Sequence, residues 1–235
     1  MVLKERQQSI LGEVVREYVK TARPVASQDL MHRHHLSVGS ATIRNEMLAL
    51  DRSGYLEQPY TSAGRTPTDK GYRFFVDNLA DESDVSGPER ARIRELFEGS
   101  DDEELFVREF SRMISRVTGA FAAAGLFDDE LFYDIGFSQI LKEPEFQDVN
   151  YLEDFGRLVD VLEDVSRSLC REARNAHEQV FIGKENPREQ GRSHTMIVSS
   201  WRHPAGFEGF VSVIGPKRMN YERTISLLRC IQNHE

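Results

Sequence analysis

Cysteine is nearly absent from these 235 residues, with Cys170 and Cys230 each standing alone among helix-forming neighbours. That excludes a disulfide framework and any CxxC metal or redox motif, and leaves two buried structural thiols as the plain reading. Long hydrophobic runs are missing too. No stretch of eighteen apolar residues occurs, and the opening MVLKERQQSI lacks the charged-then-apolar pattern of a secretory leader. The cytoplasm is therefore the expected compartment, with no membrane partner. Catalytic signatures are equally scarce. In IGKENPREQG the Gly183-Lys184 pair is followed by Glu185, where a phosphate-binding loop needs Ser or Thr, and no GxSxG nucleophile context appears. His32, His34 and His35 lack the i, i+4 spacing that sets two imidazoles on one helix face, and no Cys or Glu partner stands near them. They read as a solvated helix end. No metal and no cofactor is implied, and an enzyme loses most of its weight.

What is present suits one or two globular domains, because 39% hydrophobic residues are enough to build genuine cores. The net charge of −9 argues, as an average, against a polyanionic partner. The average hides an asymmetry. Residues 1–80 hold 11 Lys and Arg against 9 Asp and Glu, a net +2, which leaves −11 for the remainder. A mildly basic head precedes an acidic body, so any contact with nucleic acid is expected at the head alone.

In the head, Leu3, Ile10, Leu11, Val14, Tyr18 and Val19 recur at three-to-four-residue spacing and predict an amphipathic helix over 4–21. Arg23-Pro24 breaks it, and Ser27 can cap a short second helix through Leu30 and Met31. A third helix begins after Ser37 or Ser40, with Ile43, Met47 and Leu50 inward at i, i+4 and i+7. Its outer face gathers Ser40, Thr42, Arg44 and Asn45 in the first turns. Hydroxyls near a helix start suit phosphate, and Arg and Asn suit bidentate contacts with guanine and adenine. From these four residues alone, a merely solvated face explains the pattern equally well. The next thirty residues shift the balance. Ser53-Gly54 stops the helix, Tyr55–Gln58 reads as a short strand, and residues 61–67 form a turn-rich loop with Thr61, Ser62 and one exposed Arg65. Thr68 then caps a helix whose first turns offer Lys70 and Arg73. Three helices, a strand and a cationic loop describe a winged helix-turn-helix, in which the third helix enters the major groove and the loop's Arg reaches the backbone or the narrow minor groove beside it.

The stretch SATIRNEMLALDRSGYLEQPYTSAGRTPTDKGYRFFVD, residues 40–77, resembles the N-terminal winged-helix segment of the heat-inducible transcription repressor family HrcA, and PVASQDL just upstream fits it too. YDIGFSQILKEPEFQDV at 133–149, VFIGKENP at 180–187 and VSVIGPKRMNYERTISLL at 211–228 resemble the C-terminal, GAF-like portion of the same repressors. The resemblance implies a dimeric repressor of chaperone genes that binds double-stranded DNA at an inverted repeat, the CIRCE element. It also implies help from the chaperonin in recovering the competent fold. Family members are typically longer and carry early strands of the GAF-like domain plus an inserted dimerisation region where this chain has only Gly125–Glu130. A shortened form is thus expected, lacking that inserted region.

The body reads as α+β: a linker over 81–102 and a reduced GAF-like regulatory and dimerisation domain with long helices over 103–235. From Glu103 to Ala124, Phe106, Phe110, Met113, Ile114, Val117 and Phe121 make an apolar stripe. Such a stripe is more often core than interface, but its aromatic content makes Phe106, Phe110, Met113 and Val117 the first candidates for dimer packing. A second long helix is expected over 151–175, then strands at 180–182, 195–199 and 210–214, the last two joined by His203-Pro204-Ala205-Gly206, with 132–137 as a fourth. A helix over 221–232 closes the chain. With early strands missing, a sheet edge is left open for a second copy.

Within the repressor reading, Thr42, Arg44 and Asn45 face bases or the phosphates beside them, Ser40 contacts backbone at the helix start, Arg65, Lys70 and Arg73 grip phosphate, and Thr61 and Ser62 belong to the same DNA-binding set. The alternative is a ligand-responsive sensor or protein-interaction module built on the GAF-like half. A third reading is a shortened regulator that pairs with a full-length relative.

Overall fold

In the computed structural model the described residues are 3–33, 39–80, 85–99, 101–172 and 178–232. They divide between two units, Met1–Asp81 and Glu82–Glu235, each with its own core. The architecture is α+β.

The first unit opens with α1, Glu5–Thr21, whose Ile10, Leu11, Val14 and Val15 are fully buried on one stripe. Ala22 takes a left-handed conformation and donates its N–H to the Tyr18 carbonyl, closing the last turn before Pro24. α2, Ser27–Arg33, and α3, Ser40–Arg52, come next. Ile43, Met47 and Leu50 are the buried residues of α3, so its inward face is the one the periodicity predicts. Its N-cap is Gly39, which offers no side-chain cap; of the two expected caps, Ser40 is already inside the helix and Ser37 lies outside the described residues, as do His34 and His35.

Strand β1 is only Leu56–Glu57, shorter than expected, and pairs antiparallel with β2, Thr66–Pro67. Val25, ahead of α2, adds a third partner through two hydrogen bonds with Arg65, N to O at 2.9 Å and 2.8 Å. Gly64 makes this approach possible: a Cβ there would lie 2.3 Å from the Val25 carbonyl oxygen. α4, Asp69–Asn78, starts at Thr68, whose side chain accepts from the Gly71 N–H at 3.1 Å. Tyr72 and Phe75 of α4 are buried.

In the second unit, α5 spans Gly87–Gly99 and buries Ile93 and Phe97. The stretch 81–102, expected as a linker, is therefore for much of its length a packed helix. The apolar spacing of Ile93 and Phe97 signals this, but a Gly-Pro start and many charges obscure it. α6, Glu103–Thr118, is capped by Asp102, which accepts from Leu105 N at 2.8 Å, and stopped by Gly119 at φ 70°. The expected continuation of its stripe to Ala124 is not helical. Residues Phe121–Leu126 form β3, because the glycine reverses the chain and two neighbouring strands claim the backbone groups on either side. β4, Phe132–Ile135, α7, Phe137–Ile140, and a 3-10 turn at Pro144–Gln147 lead to α8, Val149–Val159, and α9, Leu162–Glu172. The single helix expected over 151–175 is thus two, broken between Val159 and Leu162. β5, Gln179–Ile182, β6, His194–Arg202, β7, Glu208–Pro216, and α10, Tyr221–Gln232, complete the unit.

Among the described residues, five strands form an all-antiparallel sheet in the order β4-β3-β7-β6-β5. Strand alternation sorts its side chains. Phe121, Ala123, Met196, Val198, Phe210 and Ile214 face one layer with Phe155, Leu158, Leu162 and Val165 of α8 and α9. Trp201 and Thr195 face the other, where Trp201 meets Phe106 and Phe110 of α6 and Thr195 shares a 2.9 Å hydrogen bond with Tyr221 of α10. Burying these rings on both sides, at about 25 cal/mol per Å², is what holds the layers together. It also corrects the dimer candidates. Phe106, Phe110 and Met113 are 1%, 0% and 8% exposed and belong to the unit's own core, and Val117 is half-buried.

Candidate nucleic-acid interface

The first turns of α3, the start of α2 and the loop from Gln58 to Arg65 enclose a cleft of about 740 Å³. Its position is set by two local facts. The apolar stripe of α3 turns Ile43, Met47 and Leu50 inward, so Ala41, Arg44, Asn45, Leu48 and Arg52 are left outward. The Val25–Arg65 bridge then pins the loop against the segment that leads into α2.

Of the residues singled out from sequence, Ser40, Arg44, Ser62 and Arg65 line this cleft together. Thr42 and Asn45 are not in its lining. Asn45 is exposed, one residue round the helix from Arg44, and Thr42 is half-buried on the far flank. Thr61 is exposed at the loop tip beside Tyr60, which is 65% exposed. Ser62 holds a left-handed backbone at φ 69° and turns the loop back toward Gly64.

The cations differ in what they already hold. Arg44 and Arg52 are exposed and have no ion-pair partner among the described residues. Arg65 does not project as the freely exposed loop cation expected from the sequence. Its side chain is 13% exposed and its Nε lies 2.6 Å from Oδ2 of Asp51 on α3, an ion pair between the loop and the helix that compensates its charge. Lys70 donates to the Ser53 carbonyl at 2.8 Å and lies over the Tyr55 ring at 4.2 Å, and Arg73 pairs with Asp77 at 3.0 Å. Both sit outside the cleft. The expected phosphate grip of Arg65, Lys70 and Arg73 does not gather in the cleft: only Arg65 of the three lines it, and each already holds a partner within the unit.

Gln28, Leu48 and Gln58 also line the cleft and were missed. For Leu48 the signal was present, since it stands at i+4 from Arg44 on the same outward face. For Gln28 and Gln58 only the tertiary meeting of two segments could reveal it. Gln58 is held in place by its amide donating to the Ala63 carbonyl at 2.9 Å.

An arrangement of this kind offers an exposed guanidinium, hydroxyls and amides within one concave edge, the donor set that meets phosphate oxygens and base edges. Among the described residues no group of carboxylates, histidines and cysteines is arranged to hold a metal ion, and no helix is long and apolar enough to cross a membrane.

Known proteins resemble this chain in both sequence and fold. The family described as HrcA protein C terminal domain matches residues 82–225, more than half of the chain. A heat-inducible transcription repressor HrcA of Pseudarthrobacter chlorophenolicus is 38% identical over 180 residues, covering 76% of this chain and 53% of that protein. One from Streptomyces avermitilis is 45% identical over 117 residues, covering 50% of this chain and 35% of the other. The chain thus spans between a third and about half the length of these curated relatives. Among solved structures, the crystal structure of a hypothetical protein superposes with a TM-score of 0.78 over 100% of both chains at 19% identity, a likeness of fold alone.

Proposed function

The chain belongs to the HrcA family, and on that premise we propose that it is a DNA-binding transcriptional repressor of heat-shock genes, working in the cytoplasm and not as an enzyme. Residues 1–80 act as a winged helix-turn-helix with α3 as the reading helix and the Gln58–Arg65 loop as the wing; residues 82–235, with α5 packed into the unit, act as a GAF-like regulatory domain. The observation that carries this is the cleft, which gathers Ser40, Arg44 and Ser62 beside the exposed face of α3. Arg44, Asn45 and Arg52 meet base edges and phosphates, Thr42 supports from the flank, and Thr61 and Ser62 reach the backbone. Arg65 positions the wing, while Lys70 and Arg73 stand at its margin.

An inverted repeat of the CIRCE type needs two heads at fixed separation, so the active form is a homodimer. With the α6 rings consumed by the core, the open sheet edges β4 and β5 offer the backbone groups for pairing. Refolding assistance from the chaperonin completes the heat response.

The test titrates the chain against a labelled inverted-repeat duplex and a scrambled duplex at several salt concentrations, with its oligomeric mass measured in parallel. Tighter retention of the repeat by a dimer, weakening steeply with salt, is the expected result. Equal affinity for both duplexes removes the sequence-specific reading, and a chain that stays monomeric on the repeat removes the dimer.

A further inference from the structure

On the outward face of α3, among Arg44, Asn45 and Arg52, stands one large apolar side chain, Leu48, 36% exposed. A single exposed Leu is ordinary on a protein surface. This one is placed differently. It lies one helical turn beyond Arg44 and two beyond Ala41, and all three line the cleft, while the packing of α3 is carried by the buried Ile43, Met47 and Leu50, of which only Met47 also reaches the cleft wall. Leu48 therefore contributes to the cleft's surface and little to the fold.

Resting on the DNA-binding reading, we propose that Leu48 selects thymine through its 5-methyl group. The chemistry leaves few other roles. Base edges in the major groove present hydrogen-bonding atoms throughout except for the thymine methyl, the one apolar group an aliphatic side chain can cover. Arg44 supplies the polar half of the readout, with guanine as its natural mate. One turn of helix separates Leu48 from Arg44 by about 6 Å along the axis, which sets the thymine roughly two base-pair steps, at about 3.4 Å each, from the base that Arg44 reads. The specificity is thus a mixed pattern in which a cationic contact and a methyl contact lie at fixed spacing in each half-site.

The experiment first isolates, from a pool of short randomised duplexes, the sequence that the full chain retains best. Each thymine in it is then replaced singly by uracil, which removes the methyl and nothing else. Wild type is expected to lose about fourfold in affinity at one or two positions per half-site, the worth of one buried methyl. Leu48→Ala is expected to bind the thymine and uracil duplexes alike, and Leu48→Met to keep most of the uracil penalty. All three keep the same salt slope and the same thermal midpoint within a few degrees. Uracil tolerated by wild type at every position overturns the inference, and so does an unchanged uracil penalty in Leu48→Ala. Either of these leaves the DNA-binding reading standing; a chain that retains no duplex from the pool at low salt brings down both.

Discussion

Arg44 and Arg65 line one cleft but differ in electrostatic state, and the difference can be measured as a salt slope. Each phosphate neutralised by a free cation contributes about −0.9 to the slope of log affinity against log salt. Arg44, exposed and without an ion-pair partner among the described residues, carries its charge among the phosphates as it reaches into the groove for guanine and should count in full. Arg44→Ala then flattens the slope by about 0.9, which between about 50 and 200 mM salt amounts to a difference of roughly 3.5-fold. Arg65 is already met by Asp51 at 2.6 Å, so Arg65→Ala removes little counterion release and should flatten the slope by less than half as much. Its cost falls on stability instead. Losing a partly exposed pair that ties the loop to α3 costs about 1 kcal/mol, which lowers the melting point of a domain this size by roughly 4–8 °C. The decisive variant is Asp51→Asn. Freed of its partner, Arg65 becomes a full cation in the cleft, the slope steepens by about 0.9 and affinity for any duplex rises. Fluorescence anisotropy on specific and scrambled duplexes over a salt series reads all of this. A full unit lost on Arg65→Ala in the wild-type background, or no steepening with Asp51→Asn, refutes the reasoning that Asp51 compensates Arg65.

The packing yields three further outcomes. Gly64→Ala places a methyl 2.3 Å from the Val25 carbonyl; the bridge must open, and circular dichroism melts should show the first unit destabilised by about 1–3 kcal/mol with weakened DNA retention. Phe106→Ala and Phe110→Ala each empty a fully buried ring site against Trp201 and should cost about 3–5 kcal/mol in urea unfolding, without changing the oligomeric mass of the protein that remains folded. His194 is buried beside Tyr151 and Phe155, and burial lowers its pKa from 6.5 to about 4. The unfolded chain therefore binds the proton more readily. Stability from this group is intact above about pH 6.5 and falls as pH drops toward about 4, by about 3 kcal/mol at most. A His194→Phe variant should lose that part of the acid dependence in pH-resolved urea titrations.

Periodicity and turn chemistry alone determined most of the first unit. The inward triad of α3, the break at Pro24 and the Thr68 cap, and in the second unit the β6–β7 hairpin loop at His203–Gly206, depend on residues close in sequence, and local steric and hydrogen-bonding rules act at that range. The outward face of α3 was equally legible, since a helix that buries one stripe must expose the other. Elsewhere the same local rules misled. The α6 stripe continued on paper to Ala124, but Gly119 and the demands of β4 and β7 turned Phe121–Leu126 into a strand, because small apolar residues suit either state and the neighbours decide. The expected linker held Ile93 and Phe97, and Phe97 packs on Phe106 and Phe110 of the next helix and on His203 far along the chain, a meeting that composition does not reveal. Tertiary structure also decided which cations are available. Whether Arg65 meets Asp51, or Lys70 the Ser53 carbonyl, depends on distances between segments brought together only by folding, and charge pairing is a property of such distances rather than of residue type.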